Sequence, residues 1–195
     1  MAEPTRVVIA EDEAIIRLDL KELLEEEGYE VVGETGRGDE AVELVRQLRP
    51  DLVILDIKMP GADGLSAARY ISRDRLAAIV ILTAFSQRDL VEQATDAGAY
   101  AYLTKPFQKS DLIPAIEVAL GRRAEVAGLE REAGDLAEAL AARKDIDRAK
   151  GVLGRSGYDE QQAWRFLQKQ AMDRRVKVAE IAKRVIDGTL EAPPR

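Results

Sequence analysis

The 195-residue chain has no cysteine, no histidine and a single tryptophan. The missing cysteines exclude disulfides, thiolate metal sites and cysteine nucleophiles. The missing histidines exclude Ser-His-Asp triads, histidine-ligated zinc and phosphohistidine on this chain. Any general acid, base or metal ligand must therefore be Asp, Glu, Lys, Tyr or backbone. Long apolar runs are also missing. The longest, Leu76 to Leu82, has seven residues, against the roughly 20 that a spanning helix needs. Residues Met1 to Arg6 lack the basic start and apolar stretch of a signal peptide. A cytoplasmic protein without a membrane segment is the expectation.

What is present fits a folded, soluble chain: 46% hydrophobic and 33% charged residues. At roughly 100–200 residues per domain, the length allows one large domain or two small ones. The net charge of −7 is unevenly spread. Residues 1–121 hold 13 basic and 23 acidic side chains, whereas residues 122–195 hold 16 and 13. Within residues 143–184 the basic excess is six. An acidic half joined to a basic segment fits two functions, one of them meeting a polyanion. Two domains with ordinary surface charge would look the same.

The first 120 residues alternate short apolar runs with helical patterns. Strands are expected at 6–10, 30–35, 51–56, 78–83 and 100–103. Acidic residues Glu11, Asp12 and Glu13 open the first helix, where they suit the positive end of its dipole. Ile16, Leu20, Leu23 and Leu24 keep helical spacing up to the stop at Gly28. Further helices are expected at 38–48, after Gly64, from about Gln87 to Ala97, and from about Ser110. Strand–helix alternation repeated five times predicts a five-stranded, doubly wound parallel sheet of α/β class. Ligands of such sheets sit at the carboxyl ends of the strands. Glu11 and Asp12, Asp56, Thr83 and Lys105 fall at those ends.

From about Arg122 the strand patterns vanish. Val126, Leu129, Ala133, Leu136 and Leu140 step by 3, 4, 3 and 4, a short heptad seam. It suits a coiled coil or packing onto the chain's own helices. This helix is expected to continue to Leu153 and to break at Gly154 to Gly157. Asp159 with Gln162 resembles a capping box for a second helix, whose apolar stripe is Ala163, Trp164, Leu167, Ala171 and Met172. Trp164 is expected in the core on that ground. A third helix carries Val178, Ile181, Ala182, Val185 and Ile186, and the tail from Glu191 is expected to fray. The chain thus divides into 5–121, a linker helix 122–142 and a helical domain 143–190.

Three carboxylates converging at one sheet edge repel one another and call for a cation. All-oxygen donors favour Mg²⁺. Lys105 opposite the metal completes a pocket for a phosphoryl group on Asp56, with the Thr83 hydroxyl beside it. Read singly, these residues are helix-capping acids, a loop acid and a surface lysine; their joint placement argues otherwise.

The set Glu11-Asp12, Leu55-Asp56, Met59-Pro60, Asp63-Gly64, Thr83-Ala84, Gly98-Ala99, Tyr102 and Lys105-Pro106-Phe107 resembles the flavodoxin-like receiver domain of bacterial two-component response regulators. The resemblance implies that Asp56 takes a phosphoryl group from a sensor histidine kinase. It implies Mg²⁺ on Asp12, Asp56 and the backbone carbonyl of Lys58, with Glu11 helping through water. It also implies Thr83 and Tyr102 as a switch pair, Tyr102 turning inward on phosphorylation. Such a protein is a phosphoacceptor rather than an enzyme with turnover. The first acid is Glu where the family more often has Asp.

Residues 143–185 look like an ANTAR domain, the three-helix RNA-binding output module of transcription antiterminators. The matches are Ala149-Lys150-Gly151 with Leu153, Ala163-Trp164 with Leu167, Ala171-Met172, Ala182 and Val185. Gly151 inside a helix costs about 1 kcal/mol, for which close helix contact is the expected reason. Together the modules resemble actinobacterial phosphorylation-dependent antitermination regulators, whose targets are RNA stem-loops. RNA-contact candidates are Arg143, Arg148, Lys150, Arg165, Lys169, Arg174 and Arg175. A homodimer formed on phosphorylation, through the seam, is one way to switch such an output. A DNA-binding output is the alternative, against which the long first helix argues. An Asp-nucleophile phosphatase is a third reading, weakened by Lys58 where many such hydrolases need a second aspartate.

Overall fold

A computed structural model of the chain describes residues 3–84, 88–191 and 193. Five parallel strands, β1 (Arg6–Ala10), β2 (Glu30–Thr35), β3 (Leu52–Asp56), β4 (Ala78–Thr83) and β5 (Ala101–Thr104), form one sheet. Their order is β2-β1-β3-β4-β5. Helices α1 (Ala14–Glu26), α2 (Gly38–Leu48), α3 (Gly64–Arg73), α4 (Arg88–Asp96) and the start of α5 (Lys109–Arg155) connect and cover it.

The central strands are apolar on both faces, so each face builds its own core. Val8, Ala10, Val53, Leu55, Ile79 and Ile81 point one way, against Val45 of α2 and Ile71 of α3. Val7, Ile9, Leu52, Ile54, Val80 and Leu82 point the other way, against Leu20 and Leu24 of α1 and Leu112 and Ile116 of α5. The period-2 alternation of β-strands sorts these neighbours to opposite sides.

The chain forms two compact units, residues 1–127 and 128–195. The helical unit packs Ala149 and Leu153 of α5 with Ala163 and Leu167 of α6 (Glu160–Arg174) and Ile181 and Val185 of α7 (Val178–Ile186). The capping box is present: Asp159 accepts from Gln162 N at 2.8 Å, and Gln162 Oε1 accepts from Asp159 N at 3.2 Å. No helix among the described residues is long and apolar enough to cross a membrane.

Several expectations need correction. No acid lies in the first turn of α1, which starts at Ala14; Glu11, Asp12 and Glu13 occupy the preceding loop. The last receiver helix and the linker are one 47-residue helix, with no break at 121 or 122, running to Arg155. Seam residues Leu129, Leu136 and Leu140 are exposed, so within the helical unit the described residues leave the seam uncovered. Met172 is exposed, and Trp164 keeps 36% of its surface in water. Their stripe is wider than the strip α7 covers. A Cβ at Gly151 would meet nothing within 4 Å, so close helix contact does not explain that glycine. In the tail, Tyr158 donates its hydroxyl to the Pro193 carbonyl at 3.0 Å; Ala192, Pro194 and Arg195, like Gln87 at the expected start of α4, lie outside the described residues.

Arg123, which no sequence pattern singles out, ties α5 to the amino-terminal edge of the sheet. Its guanidinium donates to the Asp51 carbonyl at 2.7 Å and the Leu76 carbonyl at 3.0 Å. Arg123→Ala is expected to destabilise the receiver unit by about 1–2 kcal/mol, read by urea unfolding. Lys at this position should recover less than half, because an ammonium cannot span two carbonyls as a planar fork does.

Candidate functional site

At the carboxyl edge of the sheet, β1 delivers Glu11 and Asp12, β3 delivers Asp56, β4 delivers Thr83, and the turn after β5 delivers Lys105. Main-chain bonds fix Glu11 and Lys105. Glu11 N donates to the Thr35 carbonyl at 3.0 Å and Lys105 N to the Thr83 carbonyl at 2.8 Å. Arg17 of α1 donates to the Glu11 carbonyl. The β3–α3 loop closes over Asp56, with Gly64 N bonded to the Ile57 carbonyl at 3.0 Å. A Cβ on Gly64 would fall 1.9 Å from the Asp56 carbonyl oxygen, so the start of α3 can approach this strand end only as glycine. The Lys105–Pro106 peptide is cis.

The Lys105 ammonium sits 2.5 Å from Glu11 Oε2 and 3.0 Å from Asp56 Oδ1. Lys58 N donates to Asp56 Oδ2 at 3.1 Å, and Glu13 N to Glu11 Oε1 at 3.2 Å. Glu11, Asp56 and Thr83 are buried, and Asp12 is exposed at the rim. Burial pushes the Glu11 carboxyl above its ordinary range; Lys105 opposes this and the Asp56 charge adds to it. Burial likewise raises Asp56 against the pull of Lys105, with the Asp12 charge adding to the rise. Burial lowers Lys105, but its bonds to Glu11 and Asp56 outweigh that and leave it raised.

Carboxylate oxygens of Glu11, Asp12 and Asp56 lie within 4.8 Å of one another. Glu11 Oε2 is buried against the Lys105 ammonium. Asp12, Asp56, Thr83 and Lys105 line a cavity of about 320 Å³, with Glu11 buried behind Lys105. An all-oxygen donor set and the excess of three carboxylates over one lysine fit a hard divalent cation.

Tyr102 points outward, 48% exposed. In the helical unit, Arg143 and Lys150 line one groove of about 760 Å³ together with Trp164. Arg148, Arg165, Lys169, Arg174 and Arg175 are exposed elsewhere on the unit and do not line it. Sequence reasoning missed the two acids facing Lys150, Asp147 at 3.9 Å and Glu160 at 3.3 Å. The i,i+3 spacing of Asp147 would have found the first; nothing local signals the second.

A parallel sheet in this strand order, with acids and a lysine at its carboxyl edge, defines the receiver class. Residues 7–117 match the response regulator receiver domain family, and residues 134–186 match the ANTAR domain family. The transcriptional regulatory protein PdtaR of Mycobacterium tuberculosis is 56% identical over 193 residues, 98% of this chain and 94% of that protein. The chemotaxis protein CheY of Thermotoga maritima is 41% identical over 112 residues, 57% of this chain and 93% of its own length. Among solved structures, the receiver domain of RcsB from Salmonella enterica serovar Typhimurium, studied with the phosphomimetic BeF₃⁻, is 26% identical with a TM-score of 0.54, covering 59% of this chain and 87% of its own. The receiver domain of a diguanylate cyclase from Desulfovibrio desulfuricans is 30% identical with a TM-score of 0.58, covering 63% and 98%. The chain belongs to the response regulators that join a receiver domain to an ANTAR domain.

Proposed function

We propose that this protein is a phosphorylation-switched, RNA-binding transcription antiterminator. The observation that carries the first half is the convergence of Asp56 with Glu11, Asp12 and Lys105. An Asp56 carboxylate oxygen bonds to phosphorus as the P–N bond of a sensor kinase's phosphohistidine breaks, and the departing imidazole takes up a proton. Asp12, Asp56 and the Lys58 carbonyl would hold Mg²⁺, with Glu11 acting through water; when bound, Mg²⁺ neutralises the anionic donor. Lys105 holds an equatorial phosphoryl oxygen as charge develops, and the Thr83 hydroxyl holds another. The phosphoryl group raises the charge at Asp56 from that of a single carboxylate to roughly −2 and takes over the contact between Lys105 and Asp56. Thr83 then moves toward the phosphoryl group and Tyr102 turns into the space it leaves.

The second half rests on the ANTAR match and on the basic excess of residues 143–184. Loop nucleotides of RNA stem-loops would meet Arg143, Arg148, Lys150, Arg165, Lys169, Arg174 and Arg175. The name of the Mycobacterium tuberculosis relative, a transcriptional regulatory protein, supports a role in gene expression. A cytoplasmic location, and a homodimer through the exposed seam when phosphorylated, complete the reading.

A small phosphodonor with Mg²⁺ should label wild type once per chain and leave Asp56→Asn unlabelled, by intact mass. Hairpin RNA should bind phosphorylated protein more tightly, and duplex DNA should not compete. Equal hairpin affinity in both states would remove the switch.

A further inference from the structure

The groove between α5 and α6 holds an arrangement that the RNA reading leaves unexplained. Lys150 is the most enclosed of the seven basic candidates, with its side chain 23% exposed, and its ammonium is already occupied. It lies 5.6 Å from the centroid of the Trp164 ring and 3.3 Å from Glu160 Oε1, to which it donates. Asp147 Oδ1 stands 3.9 Å away. Trp164 presents its indole to the same groove, with Arg143 at its edge. A cation, a flat aromatic face and an open cleft are the parts that hold one nucleotide, its phosphate on the cation and its base on the ring. Here a carboxylate takes the place of the phosphate, and the ammonium covers the ring.

Glu160 has a simpler role at hand. It lies in the first turn of α6, where a negative charge suits the helix dipole. That role does not require a lysine from α5. Asp159 and Gln162 already cap this terminus.

Building on the RNA reading above, we infer that Glu160 gates the RNA site. It holds Lys150 over Trp164, and an RNA phosphate must displace its carboxylate before a loop base can stack on the indole. No covalent step is involved; one ion pair is exchanged for another. Glu160 is a specificity-determining residue on this account. It excludes weak or singly placed anions, and it yields only to a ligand that supplies phosphate and base together. The exposed Glu160 carboxylate makes the pair modest in strength, as a gate that must open on binding requires.

The experiment uses the full-length, phosphorylated protein and a hairpin RNA selected by crosslinking to wild type. Affinities are measured for wild type, Glu160→Gln, Lys150→Met and the double variant. Glu160→Gln should tighten binding by about three- to fivefold, and Lys150→Met should weaken it about tenfold. In the Lys150→Met background, Glu160→Gln should change affinity less than about twofold. Equal tightening in both backgrounds would reduce Glu160 to simple repulsion of RNA and overturn the gate. Trp164 is the only tryptophan, so its emission supplies a second readout without RNA. Releasing Lys150 in Glu160→Gln should shift that emission and make the ring more accessible to acrylamide. Unchanged emission would also overturn the gate. Failure of wild type to bind any hairpin, with the emission shift present, would sink the RNA reading and leave a gate without RNA as its ligand, which overturns the assignment as stated.

Discussion

Lys105→Met is expected to cost the receiver unit about 3 kcal/mol at pH 7 and less at pH 5. The ammonium is the cation that faces both buried carboxylates, Glu11 at 2.5 Å and Asp56 at 3.0 Å. Methionine keeps the length of the stem and removes the charge. Both carboxyls are already raised, first by burial, and without Lys105 they rise further. The folded protein then keeps protons that the unfolded chain has released. Stability therefore falls as pH climbs from the ordinary carboxylate range through the raised folded values. As pH falls through the raised folded values the carboxyls protonate and the penalty shrinks. Urea unfolding at the two pH values reads the difference. Equal penalties would mean that the lysine acts through its alkyl packing and not through its charge.

The second large effect has the opposite sign. Asp56→Asn should raise the stability of the Mg²⁺-free protein, since burial disfavours the Asp56 charge by more than Lys105 favours it. The amide keeps an acceptor for Lys58 N, and Lys105 keeps Glu11. At about 2–4 °C per kcal/mol for a chain of this size, the melting midpoint moves measurably. Mg²⁺ at a hundredfold excess over its Kd should stabilise wild type by about 2.7 kcal/mol and Asp56→Asn far less. Thermal unfolding with Mg²⁺ and with a chelator tests both halves. A variant less stable than wild type without the metal would show that the Asp56 charge is net favourable where it stands.

How much of this was legible depended on how local each signal is. The buried strands β1, β3 and β4 are continuous apolar runs that no other element uses in this composition. Their carboxyl ends could be read directly, and Glu11, Asp12, Asp56, Thr83 and Lys105 with them. The start of α1 was misjudged because Glu11, Asp12 and Glu13 look like helix-opening acids. Their main chain instead turns Glu11 inward to Lys105 and leaves Asp12 at the rim. Trp164 and Met172 share helical spacing with Leu167 and Ala171, and spacing alone could not say how wide a strip α7 covers. The fork of Arg123 reaches Asp51, 72 positions earlier, beyond any periodic pattern.

By itself the sequence determined which segments become strands and helices, and that acids and a lysine meet at one sheet edge. Apolar period, turn residues and the right-handed crossover leave few other ways to close such a sheet. Tertiary structure alone decided which carboxylate Lys105 touches, which face of α6 stays in water, and that Glu160 occupies Lys150. Those outcomes depend on distances of a few ångströms between residues far apart in the chain, and packing sets such distances only once the backbone has closed.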